Sequence, residues 1–182
     1  MLKVVLVVVA VVAVLVVVLV ALIASRPSEF RVTRTATMSA PPEAIFAQVN
    51  DLHKWEAWNP WGKLDPNLKN TYEGAPAGEG AVYSWVGNKN VGEGRMTIVE
   101  SRPNESIQIR LEFFKPMAAT NTAEFTFKPE GDRTSVTWTM YGANTFMGKA
   151  IGMVMDMDKM IGGNFEQGLK DLKAIAESTA KG

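Results

Sequence analysis

The sequence predicts an α+β domain carried behind one transmembrane helix, and three observations predict it. The chain opens on a long aliphatic run, its middle alternates apolar and polar residues between turn signals, and its final segment returns to helical spacing. With 182 residues there is room for one ordinary domain of about 100–200 residues once the apolar run is set aside. Nineteen basic and nineteen acidic side chains cancel, and no Lys/Arg-rich stretch stands out, which argues against nucleic acid as a partner. The absence of cysteine excludes disulfides, thiolate metal sites and cysteine nucleophiles, and fits a reducing or an oxidising compartment equally.

Val4 to Ala24 contains no polar side chain. As a helix it is roughly 30 Å long, the thickness of a bilayer's hydrocarbon core. A helix apolar on every side needs protein all around it to be buried, and one small domain cannot provide that. A cleaved signal peptide competes, because Lys3 supplies a basic start. Such peptides usually carry only about 7–15 apolar residues before a small-residue cleavage site, however, and Ala24-Ser25 is a poor one. Residues 1–25 therefore read as an uncleaved single-pass membrane anchor. Lys3 and the free amine on one side, against Arg26 on the other, favour the amino end inside and the domain outside the cytoplasm.

Residues 26–29 read as a linker, 30–178 as the domain and 179–182 as a tail. Phe30, Val32, Arg34, Ala36 and Met38 alternate with Arg31, Thr33, Thr35 and Thr37, a threonine-rich strand. Pro41 and Pro42 stop it and open a helix, whose start suits Glu43 and whose stripe is Ile45, Phe46, Val49 and Leu52. From Asn70 to Asn144 turn signals recur at Gly74–Gly80, Gly87–Asn90, Arg102–Asn104 and Pro129–Asp132, the spacing of antiparallel hairpins. Between them Ile107, Ile109, Leu111 and Phe113 share one face, and so do Val136, Trp138 and Met140, so one face of the sheet is dry. A final helix from about Phe146 to Glu177 places Val154, Met157, Ile161, Phe165, Gly168, Leu172 and Ile175 at helical spacing, a stripe that covers the dry face.

These elements, together with Ala40-Pro-Pro-Glu-Ala-Ile-Phe46, Trp55-Glu-Ala-Trp58-Asn-Pro-Trp61, Gly92-Glu-Gly94 and Asp158-Lys-Met-Ile-Gly-Gly-Asn-Phe-Glu-Gln-Gly-Leu169 with Leu172-Lys173, resemble the START-like (SRPBCC) superfamily. That superfamily includes polyketide cyclase/dehydrase-like and lipid-transport proteins. The resemblance covers about residues 30 to 178. It implies a helix-grip fold, in which a curved antiparallel sheet wraps a long C-terminal helix with a cavity between them. No position matches a defined catalytic motif, so it speaks for the fold rather than for a reaction.

Trp55, Trp58 and Trp61 recur every three residues, which brings them to one side of a short helix or turn. They either roof a cavity or fill the seam between the first helix and the sheet. The expected lining adds Tyr83 and Trp85 on one strand face, Met96 with Ile98, Phe125 with Phe127, Phe113, Trp138 and Met140, and Met157 and Met160 from a methionine-rich stretch whose flexible side chains adapt to irregular ligands; ordinary core packing is the alternative for each. Gly162-Gly163 inside the last helix costs about 1 kcal/mol per glycine relative to alanine unless a sheet or ligand approaches closely; otherwise the helix breaks there.

His53, the one histidine, has no identifiable partner and reads first as a surface residue. Asp156 and Asp158 point about 200° apart on a helix and do not form a metal site. Gly87–Gly94 lacks the following helix that phosphate binding needs and reads as a hairpin turn. The expected function is a membrane-anchored binding protein for an apolar or amphipathic small molecule, a lipid among the candidates, with no metal or cofactor. Two rivals remain. One is a cyclase or dehydratase in which Tyr83, Glu93, Arg95, Arg110 or His53 meet in the pocket. The other is a ligand-free module that binds a protein partner.

Overall fold

A computed structural model describes residues 1–180. It divides into two compact units: Met1–Phe30 with Ala143–Met157, and Arg31–Gly142 with the chain from Asp158 onward.

In the first unit, α1 (Leu2–Ala24) is a continuous helix of 23 residues whose aliphatic side chains are exposed except for buried Ile23. It is long and apolar enough to cross a membrane, a property that a signal sequence shares. A shorter helix, α3 (Phe146–Ile151), follows Thr145, whose Oγ1 accepts the Gly148 N–H at 3.2 Å, and stops at Gly152. The single helix expected from Phe146 to Glu177 is thus two helices. Gly148 and Gly152 weaken the helix here, and regular structure resumes only at α4 (Met157–Thr179), whose first turn carries Asp158 where the helix start favours an anion. Of the tail expected at 179–182, Thr179 still belongs to α4, and 181–182 lie outside the described residues.

The second unit is built on a seven-stranded antiparallel sheet in the order β1-β7-β6-β5-β4-β3-β2, with β1 Glu29–Met38, β2 Lys69–Gly74, β3 Ala81–Val86, β4 Glu93–Arg102, β5 Ser106–Lys115, β6 Ala119–Glu130 and β7 Arg133–Ala143. Residues β2 to β7 form a meander, and β1 closes it beside β7, where Thr33 meets Thr139 at 3.1 Å and Thr35 meets Thr137 at 2.9 Å through their hydroxyls. The β5–β6 turn at 116–118 escaped the sequence reading because Pro116 is its one marker. Helix α2 (Pro42–Val49) starts on Pro42 and buries Ile45, Phe46 and Val49, as its stripe requires.

Helix α4 lies on the sheet through Phe165, Gly168, Leu169, Leu172 and Ala176. This is the helix-grip arrangement. Polar ties fix the helix to β1 and to the segment after α2. Arg34 Nε donates to Glu166 at 2.6 Å and its Nη2 to Asp158 at 2.9 Å, Lys173 reaches the Thr37 carbonyl at 2.9 Å, and Lys63 pairs with Asp171 at 2.7 Å. The Arg34 guanidinium holds the Asp158 carboxyl below the usual carboxylate range, first by hydrogen bonding and then by charge. A depressed carboxyl contributes stability above its unfolded pKa and loses it as pH falls through its folded pKa. Urea midpoints measured from neutral to acidic pH are therefore expected to fall less steeply for Asp158→Asn than for the parent chain.

The helix does not break at its glycines. The Arg34 guanidinium occupies the space a Gly162 side chain needs, whereas nothing lies within 4 Å of a Cβ at Gly163. The close approach expected at this pair is thus a side chain from β1, and it concerns one glycine only. Gly163→Ala is expected to stabilise the domain by about 0.5–1 kcal/mol, as for an unobstructed helix interior. Gly168→Ala has the opposite sign. Its Cβ meets the Trp138 ring at 2.9 Å and Pro60 at 3.2 Å, two rigid neighbours, and overpacking costs about 1–3 kcal/mol. Urea denaturation of the two variants measures both.

Candidate functional site

The inner face of the sheet is read most easily as cross-strand rows, since residues directly opposite in an antiparallel pair are immediate neighbours. Beyond the buried pair Phe127–Val136, the row Ile107–Phe125–Trp138 and the next, Ile98–Ile109–Ala123–Met140, run straight across the strands. All of these side chains are buried. Above them lie Tyr83–Met96–Leu111–Asn121–Gly142 and then Trp85–Gly94–Phe113–Ala119.

Two 3-10 turns after α2, Leu52–Ala57 with its cap Trp58 and Pro60–Leu64, deliver the tryptophans to the row of Trp138. Trp55 lies in the first turn, Trp58 caps it and Trp61 lies in the second, so the three rings converge through Trp138 rather than along one 3-10 repeat. Trp55 and Trp58 are buried with ring centroids 4.5 Å apart, and Trp58 and Trp61 meet Trp138 edge-on at 5.7 and 5.9 Å. Trp138 stacks on Phe165 at 4.1 Å and on Phe125 at 4.7 Å. Of the two readings open for these rings, the geometry displays the filled seam. Trp55 Nε1 donates to the Val49 carbonyl at 2.8 Å and Trp58 Nε1 to Gln48 at 3.4 Å, whereas the buried Trp138 Nε1 has no acceptor among the described residues.

The upper rows differ. Along β5 the same face passes from fully buried Ile107 and Ile109 to half-buried Leu111 and Phe113. Ala119 and Gly142, both small, stand in these rows beside half-buried Leu111 and Phe113, and this incompletely covered strip is the trough. Trp85 lies over Gly94, where any side chain would strike its indole, and Phe113 meets Trp85 edge-on at 5.9 Å. Two polar groups interrupt this apolar surface. Tyr83 donates its hydroxyl to Asn70 at 2.9 Å; burial, with the Tyr72 phenol and Glu56 acting the same way, pushes its pKa up to about 12, so it remains a donor at neutral pH. Asn121 is a buried amide sharing its face with Ala123, Phe125 and Phe127. The sequence reading passed over Leu111 and Asn121 as lining residues, although alternation along β5 and β6 marks both as inward.

Of the expected lining, Tyr83, Trp85, Met96 and Phe113 stand in the two upper rows, Met140 in the buried row beneath, and Trp55, Trp58, Trp61 and Trp138 below that. Met157, in the first unit, is half-buried, and Met160 is exposed. The groups a cyclase would need do not converge. Arg95, between inward Gly94 and Met96, faces outward and pairs with Glu112 at 2.9 Å; Glu93 pairs with Lys115 at 2.8 Å; Arg110 is exposed. His53 is exposed, within 3.2 Å of Asp51 and stacked on Tyr72 at 4.1 Å, beside a shallow groove of about 100 Å³, below the roughly 300 Å³ at which small-molecule sites begin. Gly87–Gly92 is a hairpin turn pinned by Asp65, which accepts the Asn88 N–H at 2.6 Å. Among the described residues, no three His, Asp or Glu side chains converge as metal ligands.

A sequence model described as polyketide cyclase / dehydrase and lipid transport matches residues 29–177. No curated protein matches the chain by sequence. Among solved structures, the protein CV1439 from Chromobacterium violaceum is 17% identical with a TM-score of 0.58, over 84% of this chain and 99% of that one. A protein of unknown function from Staphylococcus aureus, SA2116, is 13% identical with a TM-score of 0.61, over 85% and 97%. The di-domain ARO/CYC StfQ of the steffimycin biosynthetic pathway is 11% identical with a TM-score of 0.60, over 85% of this chain and 52% of that one. At these identities the likeness is one of fold.

Proposed function

Because the chain belongs to the polyketide cyclase/dehydrase and lipid transport family, we propose that it is a membrane-anchored binding protein whose inner sheet face holds an apolar or amphipathic small molecule. One observation carries the reading: along a single face of β5, cover is complete at Ile107 and Ile109 and incomplete at Leu111 and Phe113. A folded core closes over its large apolar side chains, and an open apolar surface rimmed by polar groups marks a binding site. Trp85, Met96, Leu111, Phe113 and Met140 supply apolar contact. The Asn121 amide orients a polar end, such as a carboxyl or carbonyl. The filled tryptophan seam forms the floor beneath the ligand, and α1 is the anchor.

The test is methyl NMR of the full chain with labelled methionines, titrated with a medium-chain fatty acid. Saturable shifts are expected at Met96 and Met140 and none at Met38, which is buried in β1. Equal response at all three, or none at any, contradicts the reading.

A further inference from the structure

Within the first unit, the segment Phe146–Met155 is apolar and uncovered. Phe146 is 52% exposed, Met147 56%, Val154 84% and Met155 48%. Lys149 is its one charged residue, and its ammonium is turned away to the Ala24 carbonyl at 3.3 Å. The segment is also tied to the chain leaving α1: the Asn144 N–H donates to the Ser28 carbonyl at 2.8 Å and its Nδ2 to the Pro27 carbonyl at 3.2 Å. Ala24 is the last residue of α1. An element hydrogen-bonded to the end of a span sits at the depth where the span leaves the bilayer.

From this we infer that Phe146–Met155 is a second membrane-contacting element that lies in the lipid interface with Phe146, Met147, Val154 and Met155 among the acyl chains. The inference rests on the reading of α1 as a membrane span. The physics is that of an interfacial segment, which buries its apolar side chains about 5–10 Å into the boundary between headgroups and acyl chains. The lysine that would otherwise face that layer instead donates to the Ala24 carbonyl at the C-terminal end of α1, where a cation is favoured. A solvated loop has no reason to present this composition to water.

The chain's lack of cysteine permits single-site labelling. Full chains carrying Leu15→Cys, Met147→Cys, Val154→Cys or Asp132→Cys are reconstituted in phosphatidylcholine vesicles and labelled with a polarity-sensitive fluorophore. Quenching is then read from lipids with a nitroxide near the headgroup or deep in the acyl chain. Leu15→Cys is expected to be quenched by the deep nitroxide, Met147→Cys and Val154→Cys by the shallow one, and Asp132→Cys by neither. Iodide in the water is expected to quench Met147→Cys and Val154→Cys about tenfold less than Asp132→Cys, as for side chains in the interface. If Leu15→Cys responds to lipid while both segment sites behave as Asp132→Cys does, the inference fails and the span stands. If Leu15→Cys also behaves as an aqueous site, the span reading fails and takes the inference with it.

Discussion

Trp138→Ala is expected to destabilise the domain by about 3–5 kcal/mol, the range for deleting a large buried aromatic. Trp138 is the ring on which the seam converges: it stacks on Phe165 and Phe125 and receives the edges of Trp55, Trp58 and Trp61. Its loss removes contacts with α4, with β6 and with both 3-10 turns, and none of these can collapse into the space without moving the helix. Trp138→Phe has a different outcome. It keeps a flat ring between the neighbours and removes a buried N–H that has no acceptor, a group that costs about 1–3 kcal/mol to leave unsatisfied. The lost ring volume and the removed penalty oppose each other, so Trp138→Phe is expected to lie within about 1 kcal/mol of the parent chain. Urea denaturation followed by far-ultraviolet circular dichroism gives both values. A small effect of Trp138→Ala shows that the rings are not the core of the unit.

Leu111→Trp carries the largest expected effect on binding. Leu111 stands opposite Met96 and Asn121 in the middle of the trough and is only half-buried, so an indole there has room to fold over the row without entering the packed seam. It fills the volume assigned to the ligand and blocks the approach to Asn121. The affinity for a medium-chain fatty acid is expected to fall by tenfold or more, about 1.4 kcal/mol, with the urea midpoint nearly unchanged. Val86→Trp is the control, because Val86 is exposed on the outward face of β3, between strand partners that point away from the trough. Equal affinity in the Leu111→Trp and Val86→Trp chains places the ligand elsewhere.

Much of this architecture was legible in the residues. The alternation of Phe30 to Met38, the Pro42 helix start and the alternation along β5 and β7 each express a local period that tertiary contact reinforces. The tryptophan triplet was legible as a group from its three-residue spacing, although two turns rather than one 3-10 repeat carry it; whether the group roofs a cavity or fills a seam depends on Trp138 and Phe165, which arrive from β7 and α4. The division of the last helix was hidden because Val154 and Met157 continue the helical stripe of the residues after them, while Gly148 and Gly152 are too weak a signal to mark a stop. The trough was the least legible part. Ile109 and Leu111 are equivalent by alternation, and only the packing of other elements covers one and leaves the other half open. Asn121 was within reach, since a polar residue in phase with Ala123, Phe125 and Phe127 is itself a departure from the pattern.

The central claim, that the half-covered end of the inner face holds a small apolar molecule, is tested most directly by mass spectrometry of an organic extract from the full chain purified out of cells, alongside Leu111→Trp purified in the same way. The account predicts a stoichiometric passenger with an acyl or polycyclic apolar body in the parent chain and its loss from Leu111→Trp. An identical extract from both chains, or no passenger together with no response of Met96 and Met140 to added fatty acid, contradicts it.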